Sequence, residues 1–373
     1  MGLTLSGSFA AASMSIRHAV FAILFAFAGS SDAQTVAKYG ADFLAGGVGA
    51  RALGMGGAAV GIASDVTSGY WNVAGLSELT YPEFAYMHAE RFAGVVSFDY
   101  GAVAFPVNGR STVGISFFRS GVNDIKNTLD AWDAERDQPK PNPESYFETF
   151  SAADLAFFIG YTRLVRESLA AGVSAKVIRR SIGDFASAWG YSFDIGLQYR
   201  TGRYSFGANL QDASTMLQSW SVNQSSLSNI RDVFGDELPS GGTELVLPVL
   251  RLGSGATYGF GANDLTLGFD VDLAFDGQRS QVVNVGDVSF HPRLGAEYNI
   301  KDVVAFRAGV SRVAYSKSNG LDITPSIGTG LTLRQVSIDY GFGDFAGLVS
   351  ELGYSHRISL RLILEQPGLK RAE

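Results

Sequence analysis

The feature that most constrains this chain is a two-residue periodicity that returns in block after block along it. Leu265, Leu267, Phe269, Val271, Leu273 and Phe275 alternate with Thr266, Gly268, Asp270, Asp272, Ala274 and Asp276, and Tyr191, Phe193, Ile195, Leu197 and Tyr199 alternate with Ser192, Asp194, Gly196, Gln198 and Arg200. Side chains of a strand point to opposite faces in turn, so each block reads as a strand with one apolar face and one small or polar face. Beyond Ala33 no stretch approaches the roughly 18 consecutive apolar residues of a membrane-spanning helix. Fourteen such segments can be marked, near 82–91, 94–106, 110–120, 151–165, 168–182, 188–200, 203–212, 244–260, 264–276, 286–299, 303–314, 322–333, 335–341 and 352–365.

The links between them alternate in length. Asn108-Gly109, Arg166-Glu167, Thr201-Gly202, Gly261 to Asn263, Ile300 to Asp302 and Arg334 are tight. The stretches 121–150 and 213–243 are long, the first with Trp132 and three prolines and the second with Trp220 and a serine-rich run. Short turns at one end and longer loops at the other are the signature of an outer-membrane barrel with both termini in the periplasm. The expected fold is therefore all-β: a transmembrane antiparallel β-barrel of about 14 strands over 81–365, followed by a periplasmic tail, 366–373. A soluble sandwich or propeller would also alternate. Strands of ten or more residues, and charged groups such as Asp270, Asp272 and Arg307 on the face opposite the apolar one, weigh against it.

Composition narrows the function. With 29 Lys+Arg against 36 Asp+Glu and no basic block, the chain has no footprint for nucleic acid. It has no cysteine, which removes disulfides and thiolate metal sites. Residues 1–33 read as a cleavable signal peptide: Arg17 and His18, an apolar run from Ala19 to Gly29, and a small-x-small site at Ser31 and Ala33. The expected partner is outer-membrane lipid, and no cofactor or metal is expected.

Residues 34–80 break the strand pattern and are rich in small residues, which suits a plug folded inside the barrel. A phosphate cradle fails, because no Gly-Lys-Ser/Thr follows the glycines. Three stretches here, Gly49-Ala50-Arg51-Ala52-Leu53-Gly54-Met55-Gly56-Gly57-Ala58, Ala63-Ser64-Asp65 and Tyr70-Trp71-Asn72-Val73-Ala74-Gly75-Leu76, resemble the N-terminal signature of the PorV/PorQ family. Ile338-Asp339-Tyr340-Gly341 and Leu352-Gly353-Tyr354-Ser355-His356-Arg357-Ile358-Ser359-Leu360 resemble its closing strands. The family's usual Asn-Pro-Ala-Gly reads Asn-Val-Ala-Gly here, and the chain ends in a polar tail where a terminal aromatic is usual. The resemblance implies the fold of the FadL long-chain fatty-acid transporters, fourteen strands closed by an N-terminal hatch. It also implies a role in type IX secretion, binding the C-terminal β-rich signal domain of secreted cargo proteins and meeting other secretion components.

Candidate residues follow. In the plug they are Arg51, Gly54, Gly56, Gly57, Asp65, Trp71, Asn72 and Gly75. Arg51 is expected to pair with Asp65, or with a lumenal carboxylate such as Asp270 or Asp272, because an isolated buried charge is costly. Trp71 is expected to pack inside the lumen. The C-terminal motif contributes Asp339, Tyr340, Gly353, His356 and Arg357, with His356 read as a hydrogen-bonding anchor of the last strand and not as a hydrolase histidine. Trp132 and Trp220, placed in long loops, are candidate contacts for a protein partner. Two functions compete: a PorV-type shuttle for secreted cargo, and a FadL-like channel for hydrophobic small molecules. No enzymatic activity is expected.

Overall fold

The computed structural model describes residues 35–36, 42–91, 94–133, 135–136, 138–227, 241–275, 283–285, 288–316, 320–343 and 355–371. The chain divides into Met1–Thr35 and Val36–Glu373. The signal-peptide reading falls outside the described residues, as does Gly353.

Fourteen antiparallel strands close into a barrel, as the alternation predicts. They are β1 Glu83–Arg91, β2 Val96–Asn108, β3 Ser111–Asn127, β4 Glu148–Arg166, β5 Leu169–Ile182 and β6 Ala186–Thr201. Then come β7, in two parts (Tyr204–Gln211 and Met216–Val222), and β8, also in two parts (Thr243–Val246 and Val249–Phe260). The rest are β9 Asn263–Ala274, β10 Val288–Ile300, β11 Val304–Ser316, β12 Gly320–Leu333, β13 Val336–Gly343 and β14 Ser355–Ile363. Each strand pairs with the next, and β1 pairs with β14, Glu83 opposite Ile363, so no edge is left open. That closure satisfies the backbone where a membrane offers no water. The tight turns bend through left-handed backbone, at Gly202, Gly261, Lys301, Asp302 and Arg334. That twist matches the twist of the flanking strands.

The barrel is apolar outside. On β6, Tyr191, Phe193, Ile195 and Leu197 are exposed, while Ser192, Asp194 and Gln198 are buried. The inward face carries a belt of glycines set opposite one another across strands: Gly114 with Gly160, Gly172 with Gly196, Gly207 with Gly253, Gly328 with Gly341, and the row Gly255, Gly268, Gly295, Gly309. A side chain on these positions would strike the segment enclosed within. A Cβ on Gly341 would stand 2.6 Å from the carbonyl oxygen of Ala50, and one on Gly160 3.0 Å from Val73.

The enclosed segment consists of short helices, α1 Asp42–Ala45, α2 Ala50–Gly54 and α3 Ser68–Trp71, followed by a 3-10 turn, Val73–Glu78. α2 packs against β11 to β14, and the 3-10 turn against β3 to β6. The segment thus touches walls on opposite sides of the lumen. No helix among the described residues is long and apolar enough to cross a membrane.

Two features differ from the sequence reading. The wall continues into both supposed long loops: β3 reaches Asn127, β4 starts at Glu148, and the outer part of β7 occupies 216–222. Trp220 therefore lies on a strand, opposite Ala188 of β6, and its Nε1 donates to Glu244 at 2.9 Å. The alternation hides this because residues 212–215 interrupt β7, with Asp212 and Thr215 both at positive φ. Fully buried Lys176 pins the interruption at 2.7 Å from Asp212 and 3.4 Å from Asp194.

Candidate functional site

The plug is shaped by its small residues and by three polar anchors. Gly56 (φ 64°) and Gly57 (φ 77°) end α2 in left-handed conformation. At Gly56 any Cβ would also collide with the backbone of Val310, so that position needs both the freedom and the small size of glycine. Asn72 is completely buried and joins three segments. Its Nδ2 donates to the carbonyls of Val60 (3.3 Å) and Leu197 (3.0 Å), and its Oδ1 accepts from the Ala74 amide at 3.2 Å. Gly75 fits against Ala63, where a Cβ would sit 2.7 Å from the Ala63 methyl. Gly54 lies against Gly328.

Arg51 meets both Asp65 and a lumenal carboxylate, and that carboxylate is Glu297, not Asp270 or Asp272. Its guanidinium forms two 2.8 Å hydrogen bonds with Glu297 of β10, while Asp65 stands farther off at 3.8 Å. Glu297 also accepts from Arg307 Nε at 2.5 Å, and Arg307 reaches Asp339 at 2.7 Å. Attraction from Glu297 outweighs burial and raises the Arg51 pKa further. Burial would raise that of Asp65, but Arg361 and Arg51, with hydrogen bonds from Thr67, hold it below the usual carboxylate value.

Asp270 and Asp272, proposed as partners of Arg51, do other work. Asp270 accepts from the backbone amides of Ala59 and Val60, both at 2.7 Å. Asp272 lies between Arg251 and Arg293. Asp270 and Asp272 stand on β9, next to β10, but farther along the strand than Glu297, which lies opposite Thr266, a difference of height that a linear pattern does not reveal.

The C-terminal motif splits between the two faces of the wall. Asp339 and Arg357 point inward, Arg357 donating to the carbonyls of Gly46 and Gly47. Tyr340 and His356 point outward and hydrogen-bond each other at 2.5 Å. Ser359 faces the lumen and accepts from the Ala50 amide at 2.8 Å, so His356 and Ser359 lie on opposite faces of β14. The tail returns to the base of the plug, where Arg371 donates to the carbonyl of Ser77 and its amide to that of Thr80, 2.8 Å away.

Two cavities flank the plug. The one on the short-turn side, about 310 Å³, is lined by Arg51, Asp65, Glu297, Asp339, Ser359 and Arg361 among others. The one on the loop side, about 240 Å³, is lined by Gly57, Trp71, Arg91, Arg293 and Arg357 among others. Trp71 borders both. Its indole is buried, with Nε1 donating to Val48 at 3.0 Å, its face toward Arg251 and Arg293 at 5.8 and 5.9 Å, and Tyr70 against it edge-on at 5.2 Å. Beside it, on the loop side, the inward residues of β2 to β5 change from small to apolar: Phe98, Tyr100, Phe118, Phe158 and Ile178 meet Phe43 of α1. This aromatic wall was not anticipated. Phe118 and Phe158 could have been found, because each breaks the apolar-out, small-in alternation of its strand.

No protein-family model and no curated protein matches the chain. Solved structures do. The toluene transporter TodX of Pseudomonas putida aligns over 86% of this chain and 99% of its own, at TM-score 0.53 and 13% identity. The toluene transporter TbuX of Ralstonia pickettii aligns over 85% and 98%, at 0.54 and 13%. The monoaromatic hydrocarbon channel CymD aligns over 86% and 98%, at 0.52 and 14%. The fold is that of a FadL-like outer-membrane barrel. Within such a barrel the tight turns face the periplasm.

Proposed function

We propose that the protein is an outer-membrane channel for a hydrophobic small molecule, with the plug as its gate. The observation that carries this reading is the shared position of Trp71, whose indole lines both a cavity on the loop side and a polar cavity on the short-turn side and belongs to one apolar cluster with Phe43, Phe98, Phe118 and Phe158. The aromatic wall supplies an apolar station inside a lumen whose inner faces are otherwise small or charged, and the polar cavity lets a weakly held ligand leave. The fold neighbours described as toluene and monoaromatic hydrocarbon channels support the same ligand class.

Uptake of labelled toluene by vesicles carrying the purified barrel tests the reading. The expected outcome is uptake above that of empty vesicles, and a several-fold rise for Trp71→Ala. Uptake equal to that of empty vesicles for both proteins would sink the channel.

A PorV-type cargo shuttle is the second reading. It rests on the family-like motifs and on the 128–147 loop, where Trp132, Tyr146 and Phe147 are exposed. Trp220, drawn into the wall, no longer contributes to it.

A further inference from the structure

The chain as a whole is acidic, with a formal net charge of −7, yet one arc of its short-turn end is almost purely basic. Arg110 lies in the two-residue link between β2 and β3, Arg163 stands on β4 opposite Ser111, the first residue of β3, Arg166 is the last residue of β4, and Arg203 lies in the two-residue link between β6 and β7. All four are exposed. Neighbouring strands are about 4.8 Å apart, so from β3 to β7 the arginines span an arc of roughly 20 Å. Backbone hydrogen bonds tie this rim together: the Leu164 amide donates to the Arg110 carbonyl at 2.8 Å, that of Arg200 to Ser168 at 2.9 Å, and that of Thr257 to Arg203 at 2.9 Å.

The arc is not neutralised from within. Glu167, in the link between β4 and β5, is exposed beside it, and Glu78 is engaged by the half-buried Arg200 at 3.1 Å. Among the described residues none of the four exposed arginines forms an ion pair. Farther round the same rim the signs alternate, with Lys301 followed by Asp302 between β10 and β11.

The level of the arc in the membrane follows from its place at the turns. Just inward of it the outer wall carries a collar of tyrosines: Tyr161, Tyr199 and Tyr204 are exposed, and Tyr258 shares their outward side by register. Aromatic collars of this kind mark the boundary between hydrocarbon and headgroups. Arg163 follows Tyr161 by two residues and so points outward from the same strand face, one step nearer the rim. Arg203 lies with its guanidinium over the Tyr258 ring, 5.3 Å from the centroid. A guanidinium stacked on a ring keeps its N–H edge open to oxygen acceptors at the side.

We propose that this arc binds the phosphate groups of anionic phospholipids in the periplasmic leaflet. The positive charge sits at headgroup level, continuous with the lipid-facing wall, and arginine matches phosphate oxygens with paired N–H donors. Each cation this close to an anionic leaflet adds to the attraction. An acidic periplasmic protein fits less well, because two-residue links project no cleft and Arg163 points sideways into the membrane boundary instead of down into the periplasm. The inference is independent of what passes through the lumen.

The test uses the full barrel reconstituted in phosphatidylcholine vesicles with trace spin-labelled lipid, the motionally restricted fraction being read by electron paramagnetic resonance. Labelled phosphatidylglycerol should associate several-fold more strongly than labelled phosphatidylcholine, and high salt should weaken the preference. Replacing the four residues together, Arg110→Gln, Arg163→Gln, Arg166→Gln and Arg203→Gln, should bring the two lipids level. Lys126→Gln with Lys140→Gln, at the loop end, should leave the preference as it was. The heat-modifiable gel band of each variant reports its assembly, and the measurement on the unaltered protein stands whether or not a variant assembles. Equal association of the two lipids with the unaltered barrel overturns the proposal, as does a preference that survives in an assembled four-glutamine variant. So does capture of a periplasmic protein, with no phosphatidylglycerol preference, by a photo-crosslinker placed at residue 166.

Discussion

Two stretches of the lumen wall hold the same plug in opposite ways. At the height of α2 and the 3-10 turn the wall is glycine, and the two backbones touch with almost nothing between them. Just outward of that, on β2 to β5, the wall is aromatic and meets Phe43, Tyr70 and Trp71 through large side chains. Backbone contact has no rotamers to rearrange, so the glycine belt fixes the plug. Side-chain contact can repack, so the aromatic wall is where a guest could be admitted. Backbone contact and side-chain contact are thus separated by position inside one barrel.

The largest expected effect tests the belt. Gly309→Val puts a branched side chain into the backbone of Met55 and Gly56, and the expected outcome is failure to give the compact, heat-modifiable band of an assembled barrel on cold gels. Next comes the anchor on the same side. Glu297→Gln leaves Arg51 and Arg307 without their shared carboxylate and should lower unfolding free energy by about 3–5 kcal/mol, the usual consequence of breaking a buried ion pair, read from urea unfolding in lipid vesicles. Smallest is the aromatic wall: Phe118→Ala should leave assembly intact and cost about 3 kcal/mol in the same assay. If Phe118→Ala abolished assembly and Gly309→Val did not, the comparison would be reversed.

Much of this architecture could be read in the chain, and the reasons are physical. Outward residues answer to one uniform solvent, so apolar alternation marks the strands and their number. Short turns answer to local backbone geometry, so they too are visible. Inward residues answer to whatever lies across the lumen. Arg51 and Glu297 are 246 positions apart, and only the barrel's register decides that they meet, which is why Asp270 and Asp272 looked equally suitable. The strand holding Trp220 was lost because residues 212–215 shift the parity of β7. Phe118 and Phe158 were legible as breaks in the small-in alternation of their strands, but that Phe43 of the plug lies against them is again a matter of what stands across the lumen.

The contact of Arg371 with the end of the plug bears on how the molecule is made. A ribosome delivers the plug before any barrel strand, and delivers the residue that grips its last turn only after β14. A belt with no room for a Cβ gives the plug no route in once β1 and β14 have paired. The plug must therefore be gathered while the sheet is still open, and docking of the tail marks the completed enclosure, so truncation before Arg371 should delay maturation more than it weakens the finished barrel.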